Sequence, residues 1–175
     1  MLHQSTIRAR QAYFCLEVGS APGTGKLKMA GGIDSTTKES IQRAFAYLNG
    51  HKVNMGIAQA FETTNFHVEA INLLNNHVSC DVGIGLVVAI YSALMRQPVQ
   101  PGLVVLGDLS IQGNIKAVRS LAEPLQIGMD NGARCALIPI LKIRGTSWRS
   151  RRISWRRLIQ SFMVNPSLRR GRHWV

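Results

Sequence analysis

Residues 84–95, IGLVVAIYSALM, carry no charge and would be apolar on nearly every side of a helix. Such a helix must be enclosed, because it has no polar face to offer to water. A bilayer span needs roughly 18 apolar residues, and this run is shorter and interrupted by Gly85. It therefore predicts a helix buried in a globular core, not a membrane segment. A chain of 175 residues can supply one domain with such a core.

The surrounding sequence predicts strands and further helices. From Val18 to Ala30 the chain reads as a turn and then a strand, with Leu27 and Met29 on one face and Lys28 on the other. Asp34 or Ser35 is placed to cap a helix over Thr37–Asn49, with Ile41, Ala44, Phe45 and Leu48 as its apolar stripe and Asn49-Gly50 as its end. Phe66 to Leu73 alternates like a strand, and Asn75-Asn76 turns. After the buried helix, Leu103–Leu106 is a short apolar strand, Gly107-Asp108 a turn, Leu109–Ile111 a strand and Gly113-Asn114 another turn. Val118–Ile127 reads as a helix, with Pro124 awkward in its interior. Cys135–Ile140 reads as a last buried strand. Strands and helices mix without strict βαβ alternation, so the expected class is α+β or irregular α/β.

SAPGTGKL, residues 20–27, looks like a phosphate-binding loop, whose spacing is G-x-x-x-x-G-K-[ST]. Gly25 and Lys26 fit, but Ser20 stands where the first glycine belongs and Leu27 where the Mg²⁺-binding hydroxyl belongs. A phosphate loop must also open a helix, whereas the chain from Leu27 onward alternates like a strand and then reaches Gly31-Gly32. The stretch is expected to be a glycine-rich turn, with Lys26 and Lys28 as exposed strand residues.

Cys15, Cys80 and Cys135 are odd in number and far apart, which suggests reduced thiols in a cytoplasm. The start, MLHQSTIRAR, has no apolar stretch behind it and does not read as a secretory signal.

GTGKLKMAGGIDSTTKESIQRAFAYL (23–48), VGIGLVVAIYSALMRQPV (82–99), LVVLGDLSIQGNI (103–115) and GARCALIPI (132–140) together resemble the C-terminal proteolytic domain of Lon-type proteases, in that family's order and spacing. The resemblance covers about residues 18–140, leaving 1–17 as a lead-in and 141–175 as a tail. SCDVGIGLVVAIYSAL is similar to the Lon-like proteins of bacterial BREX phage-resistance systems. The resemblance implies an α+β fold of the Lon proteolytic type, like domain 2 of ribosomal protein S5, with mixed sheets and packed helices. It also implies a Ser–Lys peptidase class, an ATPase module upstream that would bind ATP outside this chain, and hexameric ring assembly.

In the family the serine opens the buried helix in a G-P-S-A-G turn, and a lysine on the following helix takes its proton. Carried onto this sequence, the serine position falls on Asp81 and the lysine position on Ala122. An ionised Asp81 cannot supply an attacking alkoxide, and Ala122 has no base. Asp81 is instead placed to cap the buried helix. A slipped alignment would make Ser79 the nucleophile, with Lys116 as the nearby base, since Arg119 stays charged. Cys80 with His77 or His67 is a weaker thiol alternative, and a metal site of His67, His77, Cys80 and Asp81 matches no standard ligand spacing.

The net charge of +12 sits almost wholly in the tail. Residues 1–141 hold 11 Lys+Arg against 9 Asp+Glu, whereas residues 142–175 hold 10 Lys+Arg, no acid, and Trp148, Trp155 and Trp174. Basic residues with interleaved tryptophans suit a nucleic-acid arm or a membrane-surface segment. The abrupt loss of acids also fits an out-of-frame segment: a one-base shift over Leu141–Pro166 can restore the Glu-Asn that comes after this strand in the family. Such a frameshift would remove the last helical segment and expose the apolar faces it covered. The expected function is a Lon-like proteolytic domain without its dyad, serving phage defence in an ATP-driven ring that handles peptide or DNA. The alternatives are an active ATP-dependent serine peptidase using Ser79, and a nucleic-acid-binding protein acting through its tail.

Overall fold

A computed structural model of the chain describes residues 5–11, 14–72, 81–116 and 121–138. His77, Ser79, Cys80, Arg119 and the tail lie outside the described residues.

The strands are β1 (Ser5–Gln11), β2 (Phe14–Pro22), β3 (Leu27–Ala30), β4 (Thr64–Asn72), β5 (Leu103–Val105), β6 (Asp108–Leu109), β7 (Ile115–Lys116) and β8 (Cys135–Leu137). The helices are α1 (Ser35–His51), α2 (Ala58–Glu62), α3 (Gly83–Met95) and α4 (Ala122–Asp130). Six strands make one mixed sheet in the order β3-β4-β2-β1-β5-β8, and β6 and β7 form a separate hairpin. β1 and β2 are antiparallel, as are β2 and β4, while β3–β4, β1–β5 and β5–β8 are parallel. The architecture is a mixed α/β domain.

The apolar run of residues 84–95 lies at the centre, as α3. Every α3 residue from Gly83 to Ala93 is buried. The helix packs across β1 and β2, lies against α1, and meets β6. α1 begins where its cap predicts, with Asp34 Oδ2 accepting from the Thr36 and Thr37 amides at 3.0 and 3.2 Å. The Thr36 and Thr37 N–H groups are two of the orphan donors of a helix start. Ile41, Ala44 and Leu48 are fully buried, as the stripe predicts. The helix does not stop at Asn49-Gly50 but runs to His51. A glycine near a helix end costs only about 1 kcal/mol, and the last turn is held by the His51 ring stacked on buried Tyr47 at 4.3 Å.

The alternations hold in β3 and β4. Leu27 and Met29 pack on the core while Lys28 is exposed, and Phe66 and Val68 are buried while His67, Glu69 and Ile71 are exposed. β5 is buried at all three residues because both its faces are covered. Leu103 and Val105 join the main core, and Val104 joins Leu106, Leu125 and Ala133 in a second cluster on the α4 side.

Other expectations need correction. Residues 5–11 form β1, in the middle of the sheet, and β2 starts at Phe14, so the sheet draws on the segment read as a lead-in. STIRARQ mixes charges with small residues and gives little strand signal by itself; its place comes from pairing with both β2 and β5. α2 was not legible in its five residues, yet it delivers Phe61 into an aromatic group with Phe45 and Phe66, at centroid distances of 5.2 Å to each. Asp108 opens a strand instead of closing a turn. α4 starts at Ala122, so Pro124 is its third residue. In the first turn an amide has no helical acceptor, and the missing N–H of proline costs nothing there.

The SAPGTGKL stretch is the end of β2, a turn at 23–25 and the start of β3. The amides of Thr24 and Lys26 both donate to Asn65 Oδ1, at 2.9 and 3.0 Å. Two N–H groups that a phosphate loop would offer to its ligand are thus committed to a side chain of β4.

Candidate functional site

The site lies where α1, the start of α3 and the β6–β7 hairpin meet. Ser40 and Arg43, three residues apart, share a face of α1. The antiparallel register of the hairpin sets Asp108 opposite Lys116. Ser40, Arg43 and Lys116 converge on the Asp108 carboxylate, whose side chain is 0% exposed. Ser40 Oγ donates to its Oδ1 at 2.9 Å. Arg43 Nη2 and Lys116 Nζ donate to its Oδ2 at 2.7 and 2.8 Å. Burial pushes the Asp108 carboxyl upward, but the hydrogen bonds from Lys116, Arg43, the Leu109 amide and Ser40 outweigh it and hold the group below its ordinary value.

Asp108 also fixes the entry of α3. Ser40 Oγ, while donating to Asp108, accepts the Val82 amide at 3.0 Å. The Ile84 amide points to the Gly107 carbonyl at 3.4 Å. A Cβ at Gly83 would fall 2.1 Å from Asp108 Oδ1, so only glycine fits this approach. The cap residue of α3 is Val82, with no side-chain cap hydrogen bond. The reading of Asp81 as the helix cap is therefore corrected: Ser40, from another helix, serves the amide at that end.

Asp81, onto which the resemblance carried the family's serine position, stands just before α3. Its side chain is 51% exposed, and its Oδ1 lies 3.6 Å from Arg43 Nη2. Desolvation and the Asp108 charge raise its pKa, aided by a side-chain hydrogen bond to Asp108 and opposed by Lys116 and Arg43. Arg43 is the shared cation of the cluster, and it also lies 3.7 Å from Glu39 one turn earlier on α1.

The structure brings together two of the residues singled out from the sequence, Asp81 and Lys116. Lys116 Nζ is committed to the buried Asp108. Ala122 stands exposed in the first turn of α4 and carries only a methyl group. His67 is exposed on β4, in register with Gly19 and Lys28. Among the described residues no three His, Cys, Asp or Glu side chains are grouped to hold a metal. Ser40, Arg43 and Asp108 were missed in the sequence. Ser40 could have been found, since its spacing from Thr37, Ile41 and Ala44 puts a hydroxyl on the buried stripe. Asp108 was hidden by the turn signal of Gly107.

Residues 10–141 match the Lon protease (S16) C-terminal proteolytic domain. The chain is 32% identical over 125 residues to the Lon-like protease BrxL of Escherichia coli O9:H4 (strain HS), covering 71% of this chain and 18% of that protein. It is 30% identical over 127 residues to the Lon-like protease BrxL of Bacillus cereus (strain H3081.97), covering 72% and 19%. It is 28% identical over 124 residues to the Lon protease of Mesomycoplasma hyopneumoniae (strain 232), covering 71% and 14%. The chain thus spans less than a fifth of the length of each of these relatives. With a family match over most of its length, the chain belongs to the Lon protease (S16) C-terminal proteolytic domain family.

Proposed function

We propose that this chain is a Lon-type domain that does not cut peptides through a Ser–Lys dyad and that serves phage defence as a scaffolding or substrate-handling part of its parent protein. The observation that carries the reading is the charge cluster at the entry of α3. The nucleophile position holds Asp81, a carboxylate beside Arg43 and Asp108, instead of a hydroxyl. An ionised carboxylate accepts hydrogen bonds and has no proton for a general base to remove. Lys116, the base of the slipped alignment, would have to give up its 2.8 Å bond to a buried carboxylate to act. Ala122 offers no base at all.

The phage-defence part of the reading comes from the likeness to two Lon-like proteases named BrxL. On this reading the domain has the S5-like fold of its family, works in the cytoplasm within a ring of copies, and depends on ATP bound by a module outside residues 10–141. The reading of the tail as out of frame is supported by the family match, which ends at residue 141, where the acidic residues have already run out.

A fluorophosphonate probe tests the central point, because it labels only an activated serine. The expected result is no labelling of the chain. Labelling that disappears in Ser79→Ala would instead establish the active serine peptidase.

A further inference from the structure

The six-stranded sheet ends at β8, whose one strand partner among the described residues is β5. Between this edge and α4 lies an open groove of about 270 Å³. Val104, Leu125, Gly128, Met129 and Ala136 line it, and Arg134 is the one charged residue of the lining. Met129 is 64% exposed there, and Leu121, just before α4, is 38% exposed. The groove thus leaves apolar side chains of one element in water beside an uncovered sheet edge, a combination that marks a surface built to be covered.

The chain itself carries an occupant of matching chemistry. Ile138, the last described residue, packs on Val104 and Leu106, so residues 139–175 leave the domain at the edge of the groove. Within them Trp155, Leu158, Ile159, Phe162 and Met163 recur at the spacing of one helix face, and Arg157, Gln160 and Ser161 fall opposite. Ser154 stands at the cap position, Ile153 and Leu158 at the two staple positions, and Asn165-Pro166 supplies a stop. Such a stripe is about 12 Å long at 1.5 Å per residue, close to the length of the nine-residue α4. The charges are complementary. Residues 121–131 hold the exposed acids Glu123 and Asp130 and no Lys or Arg, whereas residues 142–175 hold 10 Lys+Arg and no acid. The tether is short, so the stripe meets the groove at an effective concentration on the order of mM.

We propose that residues 154–164 dock in this groove as an amphipathic helix of the same chain. The stripe from Trp155 to Met163 covers Met129 and Leu125, while Arg157 and Gln160 face water. Arg156, at the border of the stripe, comes beside the acids of α4. The docked segment closes the apolar surface beside β8 and leaves the outward basic face free. The proposal does not depend on the loss of the dyad or on the reading frame from which the tail arose, since it rests on the residues present.

Oxidation of the full chain by hydrogen peroxide tests the docking, with each methionine followed by mass spectrometry, because sulfoxide formation tracks access to the sulfur. Met129 reports the groove, Met163 the stripe, and Met55, 4% exposed in the core, the integrity of the fold. In the wild-type chain both Met129 and Met163 are expected to oxidise slowly. Leu158→Asp places a charge on the stripe and is expected to speed both several-fold with Met55 unchanged. Gln160→Asp places the same charge on the opposite face and is expected to leave both at the wild-type rate. Met129 oxidised equally fast in all three chains would overturn the proposal, as would Gln160→Asp behaving like Leu158→Asp. A matching rise at Met55 would trace the effect to unfolding and overturn docking at this groove. Protection that fades on dilution would assign the groove to the tail of a second copy and overturn it too.

Discussion

Asp108 is the residue on which the local structure depends most. Three side chains from two elements and a backbone amide donate to it, and no water reaches it. Removing the charge leaves Arg43 and Lys116 facing a site built for an anion. Asp108→Asn is expected to cost about 3–5 kcal/mol, the usual loss on breaking a buried pair, read from the urea midpoint at neutral pH. The pH dependence has a definite sign. Asp108 titrates lower in the folded chain than its ordinary value of 3.8. Its contribution is therefore complete above that value and is lost as pH falls through the folded-state value, so the gap between Asp108→Asn and wild type closes in acid. Asp81 has the opposite sign. Its folded-state pKa is raised, so its contribution is complete below 3.8 and is lost as pH rises through the folded value. Asp81→Asn is expected to raise the thermal midpoint at neutral pH and to match wild type in acid. Gly83→Ala sets a methyl against a carboxylate oxygen that Ser40 holds in place. A cost of about 1–3 kcal/mol is expected from this overpacking, and an unchanged urea midpoint would contradict the close approach.

At the scale of elements, the sequence was most legible where one local signal decided the outcome. The Asp34 cap, the stripe of α1, the unbroken apolar character of α3 and the alternation of β3 and β4 each come from side-chain periodicity or one hydrogen bond. Elements set by partners far along the chain were less legible. β1 is central because β2 and β5 flank it, and β7 pairs with β6 in a register that sets Lys116 against Asp108. The site was half legible for the same reason: Asp81 is found by alignment alone, whereas Ser40 and Arg43 join it only through the packing of α1 on α3. α2 shows how much a short element can hold. Its Phe61 is 2% exposed and touches both Phe45 and Phe66. Phe61→Ala is expected to cost about 3–5 kcal/mol, measured by urea unfolding, whereas a loss near zero would mean that α2 is not part of the core.

At the scale of the whole molecule, the mixed α/β domain is consistent with the Lon proteolytic family to which the chain belongs, and a buried charge cluster stands at the entry of its central helix. On the proposed reading, Asp81 beside Arg43 gives the start of α3 a structural task in place of a nucleophilic one. The basic residues from 142 onward stand apart from this domain in composition, and a nucleic-acid role for them has its own check. DNA affinity that survives deletion of residues 142–175 would exclude the tail as the binding element. The most direct test of the central claim is to incubate the chain with an unfolded protein substrate and sequence the products by mass spectrometry. No new peptide termini are expected. New termini that vanish in the Ser79→Ala chain would show an active serine peptidase and contradict the account.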